Sequence, residues 1–286
     1  MTLHAPLDPE ETLALLGVAD ADRPGCLALL AGPASPAVEC VLAYLASRLG
    51  SAEEPVPELV AAGIPVAEGD WLAGMLRFVP ELLAWHRDRN ITADVTRATL
   101  ADFGRNLAIN RRVHQRFGMD TYKWLTHLFA GRLFQLGRLQ YLLHQPQADI
   151  PGVQAGEWIV GIHIPEDGGL GIASVRESLA LAAAFFAAHF PDRPVRTANC
   201  ESWLLDPYLR ARMHPDSNIA QFVDLFSPYG QPRDEPTDAV YFTFRTRRMD
   251  ALGKLPRNTT LQKLVLERIA AGGTWQLGFG ALQLPQ

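Results

Sequence analysis

Three glycines stand close together in the second half of the chain, at Gly168, Gly169 and Gly171. They follow the apolar, β-branched run WIVGIHI and precede a long apolar stretch that contains neither glycine nor proline. This order predicts a strand, a loop and a helix. Because glycine has no Cβ, the loop backbone can approach a pyrophosphate closely, and the first amides of the helix can donate to it. The alternative is that the three glycines form only a tight turn.

The helix after the loop is predicted to begin at Ser174, since Ser174 and Glu177 have the spacing of a capping box. It extends to about His189 and is nearly all apolar, which predicts burial on more than one side. The run VRTANC that follows is predicted as a second strand. A strand, a crossover helix and a strand form a right-handed parallel unit, so the glycine loop is expected at the carboxyl end of the first strand.

The charges of the chain are unevenly divided. Residues 1–125 contain 16 of the 31 acidic and 11 of the 26 basic side chains, which leaves 15 of each in residues 126–286. Neither part is basic, and a nucleic-acid-binding protein normally presents a basic surface, so no nucleic-acid partner is expected. A local cluster of arginines, which either meets an anionic ligand or is solvated, consists of Arg245, Arg247 and Arg248.

Cysteine usage and the longest apolar runs bear on the cellular compartment. Cys26, Cys40 and Cys200 are odd in number and widely spaced, which indicates free thiols in a reducing cytosol and suggests no metal site. The longest apolar run, in the crossover helix, is judged too short to cross a bilayer, and the acidic start MTLHAPLDPEETL resembles no export signal. We therefore expect a cytoplasmic protein with no membrane partner.

The first part of the chain shows helical patterns throughout. Asp8 and Ser35 are predicted N-caps, and a later helix contains Pro80, which is expected to kink or split it. Residues 51–69 are predicted as a connection broken by prolines. An α-helical domain is therefore predicted over residues 1–125.

From about residue 130, strand and helix patterns alternate. The run QYLLH is predicted to lie antiparallel beside WIVGIHI, and AVYFTFRT and TWQLGFGALQL are predicted as later strands. Thr259 and Gln262 have the spacing of a capping box at the start of another helix. The chain is thus predicted to be α+β, with a mixed sheet of about six strands flanked by helices in a second domain over residues 126–286.

This second domain resembles the GNAT superfamily of acyl-CoA-dependent N-acyltransferases. The resemblance rests on the HIP strand end, the glycine loop, the long apolar helix and the strand that enters CESWLLDPYL. With the helical first half, the chain resembles bacterial two-domain GNAT-like acyltransferases. The superfamily's pyrophosphate loop has the form Q/R-x-x-G-x-G/A, which Gly169 and Gly171 match. Glu166 stands where Gln or Arg is usual, and its carboxylate would repel a pyrophosphate unless it turns away.

The resemblance implies acetyl-CoA or another acyl-CoA as co-substrate, with its pantetheine between two diverging strands that end at His163 and near Cys200. The cofactor-binding residues it implies are His163, Ile164, Gly169, Leu170, Gly171, Ile172, Ala173, Ser174 and Arg176. Arg176, in the first turn of the helix, either contacts a phosphate or is a surface charge.

The resemblance also implies two catalytic residues. Glu201 is the candidate general base for an amine, and Tyr208, on the helix after the second strand, is the candidate acid for the departing thiolate. The alternatives are an exposed acid and a packed tyrosine. Cys200 is either a nucleophile with His163 as its base or a small buried thiol.

Two functions remain open from the sequence. The first is acyl transfer, in particular acetyl transfer, from acyl-CoA to a small-molecule or peptide amine by direct attack in a ternary complex. The second is a non-catalytic GNAT-like module that binds an acyl-CoA or a protein partner.

Overall fold

The structure is a computed structural model that describes residues 4–55, 58–61 and 63–285. The chain divides into two compact units, Met1–Leu136 and Gly137–Gln286. The domain boundary predicted between residues 125 and 126 falls inside a helix of the first unit, Tyr122–Phe129.

The first unit is built mainly of helices, as predicted. Its helices are α1 (Pro9–Leu15), α2 (Arg23–Leu30), α3 (Pro36–Arg48), α4 (Glu68–Asp88), α5 (Ala93–His114) and α6 (Tyr122–Phe129). Asp8 and Ser35 cap α1 and α3 through their side-chain oxygens, which accept from amides in the first turn, so both predicted helix starts are confirmed. Helix α4 continues through Pro80, so the predicted split does not occur.

The connection before α4 contains two short strands, β1 (Val60–Ala61) and β2 (Ile64–Pro65), which pair antiparallel. Residues 56, 57 and 62 of this connection lie outside the described residues. The strands are two residues long, so the described part of residues 1–125 contains no long strand and the prediction of a helical segment is confirmed. The unit ends with β3 (Leu133–Leu136).

The second unit is a mixed sheet with helices, which confirms the predicted α+β class. Its strands are β4 (Leu139–His144), β5 (Ile159–His163), β6 (Thr197–Ser202), β7 (Ser227–Pro228), β8 (Arg233–Asp234) and β9 (Gln276–Gln283), and its helices are α7 (Ile172–His189), α8 (Pro207–Arg210), α9 (Asn218–Val223), α10 (Pro236–Phe244) and α11 (Thr260–Ala270). Within this unit the strands follow the order β4-β5-β6-β9-β7, and β8 pairs with β9. Strands β5 and β6 are parallel and the other pairs are antiparallel, so the predicted hairpin partner and the parallel crossover are both confirmed.

Helix α7 differs from its prediction at its start. It begins at Ile172 with Gly171 as its N-cap, two residues before Ser174. The Ser174 hydroxyl donates to the Gly171 carbonyl, 2.8 Å away, and forms no capping box with Glu177. The glycine loop therefore leads directly into the first turn of the helix.

Helix α7 also buries one face rather than several. Its buried residues recur at helical spacing and are Val175, Ser178, Leu179, Ala182, Phe185 and Phe186. The opposite side carries mostly alanines and the half-exposed Leu181. At 18 residues, α7 is the one described helix that is long and apolar enough to cross a membrane, so the prediction that this run is too short is wrong. In this unit it is the crossover between β5 and β6.

The run AVYFTFRT, predicted as a strand, is instead part of α10. Pro236 occupies the first turn of this helix, and Arg245 ends it in the left-handed region with φ 56°. The run is mostly apolar, and polar and apolar residues do not alternate strictly in it. In so short a run, periodicity does not distinguish a strand from a helix. The predicted capping box of Thr259 and Gln262 at the start of α11 is confirmed.

Candidate functional site

The glycine loop is fixed by an arginine that the sequence analysis did not single out. Nε of Arg138 donates to the Gly169 carbonyl at 2.7 Å, and its terminal nitrogen donates to the carbonyls of Pro165 at 3.0 Å and Gly168 at 3.2 Å. Gly168 has φ 78°, a conformation that favours glycine. Since these loop carbonyls face one guanidinium, the loop is held in one conformation by a residue about 30 positions away in sequence.

The first turn of α7 presents donors beside this loop. The first backbone bond of the helix joins the Val175 amide to the Gly171 carbonyl at 3.0 Å, so the amides of residues 172–174 precede the helical ladder. A Cβ added at Gly169 would meet no atom of the described residues within 4 Å, which means that the space beside the loop is open among them. Arg176 is exposed in the same turn. Directed amides, the helix dipole and an open approach together suit a phosphate group.

Glu166 turns its carboxylate to an arginine at the end of α10. A carboxylate oxygen of Glu166 lies 2.7 Å from a terminal nitrogen of Arg245, and both side chains are about one-fifth exposed. The negative charge that would repel a pyrophosphate is thereby paired with a positive one. Arg245 belongs to the arginine cluster that the sequence analysis left open between a ligand contact and a solvated surface.

The described pairing of the two parallel strands stops before the strands end. The described pairing between β5 and β6 joins Val160 to Ala198 and Gly161 to Asn199. Strand β5 nevertheless continues to His163 and β6 continues to Ser202. The described pairing thus stops before either strand ends, which leaves a gap in the ladder between the strand ends. His163 is the last residue of β5, and Ile164 follows it.

Strand alternation decides which side chains share a face of the sheet. Gly161 and Asn199 are register partners, so His163 and Glu201, each two residues further on, lie on that same face. Cys200 lies on the opposite face. On this opposite face the Tyr141 hydroxyl of β4 lies 3.0 Å from the Ser178 hydroxyl of α7, so the helix covers it.

This arrangement contradicts the covalent alternative. His163 and Cys200 lie on opposite faces of the sheet, so the imidazole cannot serve as a base for the thiol. Cys200 is 2% exposed, and burial raises the pKa of its thiol to about 12, with a smaller contribution from the charge of Glu201. A buried, protonated thiol is a poor nucleophile, and Cys200 is a core residue.

Three polar side chains form a hydrogen-bonded row across the face that carries Glu201. His144 Nε2 of β4 lies 3.0 Å from the Asn199 Oδ1 of β6, and Asn199 Nδ2 donates to the Tyr229 hydroxyl at 3.3 Å. Gly161 of β5 lies beneath this row: a Cβ there would stand 3.4 Å from His144 Nε2 and 3.5 Å from Asn199 Oδ1. The contact between His144 and Asn199 therefore spans β4, β5 and β6, because β5 has no side chain at that point.

The phenol of Tyr229 is half-buried and stays protonated. Burial raises its pKa above the ordinary value, the hydrogen bond from Asn199 opposes this, and the negative charge of Glu201 raises the pKa further. Glu201 itself is exposed. Sequence reasoning did not find Tyr229, nor the contacts of Asn199 with Tyr229 and His144, because these contacts join residues 30 and 55 positions apart.

Tyr208 lies in a different environment. Its ring meets the Trp275 ring edge-on at 5.7 Å between centres, and the guanidinium carbons of Arg212 and Arg268 lie 3.5 and 4.0 Å from its centre. Arg268 is in turn held by the buried carboxylate of Asp206 at 2.8 Å. These contacts place the Tyr208 ring in the small core of α8, α10 and α11, and its predicted role as an acid stays a prediction.

Two families match the sequence. Residues 133–282 match the GNAT-like C-terminal domain, and residues 8–131 match the N-acyltransferase N-terminal domain. No curated protein matches the chain.

Solved structures are similar over the full chain. One is an acyltransferase in complex with decanoyl-CoA, at 29% identity and a TM-score of 0.85, covering 100% of this chain and 91% of the other. A second, an acyltransferase in complex with decanoyl-CoA and teicoplanin, has 28% identity, a TM-score of 0.84 and coverage of 99% and 90%. A third, in complex with CoA and 10C-teicoplanin, has 27% identity, a TM-score of 0.82 and coverage of 99% and 90%. Because the C-terminal match spans more than half of the chain, the protein belongs to the family of the GNAT-like C-terminal domain.

Proposed function

We propose that the protein is an acyltransferase that moves an acyl group from acyl-CoA to an amine by direct attack in a ternary complex. The observation that carries this proposal is the gap between the ends of β5 and β6, next to a glycine loop that opens onto the first amides of α7. A pyrophosphate at the amides of residues 169–174 and a pantetheine in the gap would bring the thioester to the rim at His163 and Ile164.

The chemical class of the donor is supported by the loop and by the relatives. The three structures described above were crystallised with decanoyl-CoA or CoA, and all cover this chain almost completely. We extend the donor class to this chain as acyl-CoA, with a medium-length acyl chain as the first candidate and acetyl-CoA as the second. The residues proposed to hold it are His163, Ile164, Gly169, Leu170, Gly171, Ile172, Ala173, Ser174 and Arg176.

The acceptor is proposed to be a small-molecule or peptide amine. Two of the solved relatives are complexes with teicoplanin or 10C-teicoplanin, which supports an acceptor of comparable kind without fixing its identity. The polar face with Glu201 is the side of the gap on which an amine would meet a carboxylate. A protonated amine would be drawn to that charge, and it would release a proton to become the neutral nucleophile before it attacks.

The transfer consists of three changes at the thioester. The amine nitrogen forms a bond to the carbonyl carbon, the carbon–sulfur bond breaks, and the amine loses a proton. Glu201, directly or through water, is proposed to accept that proton, and His163 is a second acceptor on the same face. A backbone amide near Ile164 would polarise the carbonyl, and a tyrosine hydroxyl, Tyr208 by the resemblance, would protonate the sulfur.

Two features of the sequence favour the non-catalytic alternative, the absence of an unmistakable general base and the acid Glu166 in the pyrophosphate loop. The ion pair of Glu166 with Arg245 removes the second objection, since the pair carries no net charge toward a phosphate. The three cysteines are not joined by disulfides, which is compatible with the proposed cytoplasmic location.

The experiment that tests the function uses the full-length protein with acetyl-, octanoyl- and decanoyl-CoA, each with a panel of primary amines. We expect an acylated amine by mass spectrometry together with one equivalent of free CoA. A glycopeptide bearing a free amine belongs in the panel, and the same glycopeptide with its amine blocked is the control. If the acyl-CoAs bind but no panel member is acylated and CoA is not released, the protein is a binding module.

A further inference from the structure

The row of His144, Asn199 and Tyr229 has a defined direction of hydrogen donation. Asn199 donates through Nδ2 to the Tyr229 oxygen, so its Oδ1 accepts from His144 Nε2, which must then carry a hydrogen. A phenol whose oxygen already accepts from Asn199 directs its own hydrogen to another acceptor. The row therefore orients one hydroxyl hydrogen of the site.

This hydroxyl lies next to the point where the described pairing of the two strands stops. Asn199 is a register partner of Gly161 in the last described pair between β5 and β6, and it donates directly to Tyr229. Asn199, in the middle of the row, is 4% exposed, whereas Tyr229 is half-buried, so the row is anchored at its buried centre and is accessible at Tyr229. Tyr229 is itself held on β9, because its amide donates to the Phe279 carbonyl at 3.0 Å.

We propose that Tyr229 donates its phenolic proton to the CoA sulfur as the carbon–sulfur bond breaks, and that Asn199 and His144 are positioning residues for it. The inference rests on the proposed function, because it assigns a step of acyl transfer. It goes beyond that function because it names Tyr229, the residue directly after β7, as the proton donor. The resemblance gives this role to Tyr208.

The step balances in atoms and charge. The electron pair of the breaking bond leaves on sulfur, the sulfur takes the phenolic proton, and free CoA thiol departs. The tyrosinate left behind regains a proton from water, and the amine's proton leaves through Glu201 or His163. Desolvation disfavours the charged form of a thiol, so a partly buried CoA thiolate is a strong base, and protonation of the sulfur assists bond cleavage.

The surroundings of the two tyrosines support this choice. Tyr208 lies against two guanidinium groups and a tryptophan ring in a core of helices. Tyr229 shares the polar face with Glu201, whose charge acts on the phenol.

The test compares two donors with different leaving groups in single-turnover measurements. One donor is decanoyl-CoA, and the other is a decanoyl aryl thioester, whose thiolate is stable without protonation. Tyr229→Phe should slow transfer from decanoyl-CoA by about a hundred- to ten-thousand-fold relative to the parent. Transfer from the aryl thioester should stay within about threefold of the parent, because that leaving group needs no acid. The transfer rate of each variant is divided by that of the parent with the same donor, so that differences in affinity between the two donors cancel.

Tyr122→Phe, at a tyrosine of α6 that has no role in the proposed reaction, is the matched control, and its two ratios should both stay near one. A donor-dependent loss in Tyr208→Phe but not in Tyr229→Phe would overturn the inference. If Tyr229→Phe slows transfer equally with both donors, or with neither, the inference is overturned. Failure of the parent to acylate any amine would instead reject the proposed function, so the two failures are distinguishable.

A second pair of variants tests the positioning residues. His144→Gln keeps an N–H donor within reach of Asn199, whereas His144→Leu removes it. We expect His144→Leu to slow transfer from decanoyl-CoA more than transfer from the aryl thioester, as Tyr229→Phe does but to a smaller extent. His144→Gln should transfer from both donors at nearly the parental rate. If both His144 variants behave identically with the two donors, the row does not position the phenol.

Discussion

The carboxylate of Glu166 and the guanidinium of Arg245 form an ion pair 2.7 Å long at the edge of the glycine loop. The superfamily pattern has Gln or Arg at the position of Glu166, so this chain has an acid where a neutral or basic side chain is usual. The pair supplies a positive charge from the end of α10, about 80 residues later in sequence, to the same place. The loop's electrostatics therefore depend on a contact between distant parts of the second unit.

Removing the arginine should reveal the charge that it balances. Arg245→Ala leaves an unpaired carboxylate beside the proposed pyrophosphate site, and we expect acyl-CoA to bind about tenfold more weakly by calorimetry. This is the effect of one added unit charge roughly 10 Å away at an effective dielectric constant of about 20. The double variant Glu166→Gln with Arg245→Ala should recover most of the affinity, and Arg247→Ala, an exposed neighbour, is the control. Equal weakening in the single and double variants would mean that Arg245 acts by some other route.

Gly169 is the loop position where a side chain would test close approach of a ligand. A Cβ there meets no atom of the described residues within 4 Å, and its φ is not in the left-handed region, so the fold should accept Gly169→Leu. We expect acyl-CoA affinity to fall by at least about tenfold with little change in melting temperature, because the side chain occupies the ligand's approach. Gly32→Leu, at another glycine with open space, controls for the substitution itself. Unchanged affinity would mean that the loop is only a turn.

The first unit contains a buried histidine that should make stability depend on pH. His86 is 1% exposed, and burial, with a smaller contribution from the charge of Arg89, lowers its pKa to about 4. The unfolded state binds a proton near pH 6.5 and the folded state does not, so this contribution to stability is present at neutral pH and lost as the pH falls toward 4. We expect the parent to lose about 2 kcal/mol more than His86→Leu between pH 7 and pH 5 in denaturant unfolding. If the unfolding free energies of the parent and of His86→Leu changed equally with pH, this prediction would be contradicted.

Local patterns predicted much of this fold. The N-caps at Asp8 and Ser35, the capping box at Thr259 and the parallel crossover from β5 to β6 each depend on residues that are near in sequence or on a general handedness rule. The run at residues 239–246 was predicted wrongly because a short apolar stretch fits a strand or a buried helix equally well.

The site was less accessible to sequence reasoning for a different reason. Gly169 and Gly171 could be found because glycines between a strand and a helix have a local meaning. Arg138, Tyr229 and the pairing of Arg245 with Glu166 could not, since each depends on a contact with a residue at least 30 positions away. No local spacing encodes such contacts, and strand register is needed to see that His163 and Cys200 face opposite sides of the sheet.

Cys200 should be dispensable for the reaction. It lies on the face covered by α7, is 2% exposed and has a thiol pKa raised to about 12 by burial, so it cannot readily form a thioester with the acyl group. Cys200→Ala should retain most of the transfer rate, with a modest loss of stability from the small cavity. Intact-mass analysis of the parent after mixing with acyl-CoA alone should show no acylated protein. A trapped acyl-protein that disappears in Cys200→Ala would restore the covalent route.

Glu201 and His163 compete for the role of proton acceptor, and the two can be separated. Both lie on the same face at the strand ends, where an attacking amine must release a proton. If Glu201 accepts it, Glu201→Gln should lower the rate constant for amine acylation by about a hundred- to ten-thousand-fold at pH 7, with acyl-CoA affinity nearly unchanged. The loss should shrink as the pH rises toward 10, because a larger fraction of the alkyl amine is then already neutral. Asp167→Asn, an exposed acid of the loop, serves as the control and should transfer at the parental rate. A fully active Glu201→Gln together with an inactive His163→Gln would assign the proton to the imidazole instead.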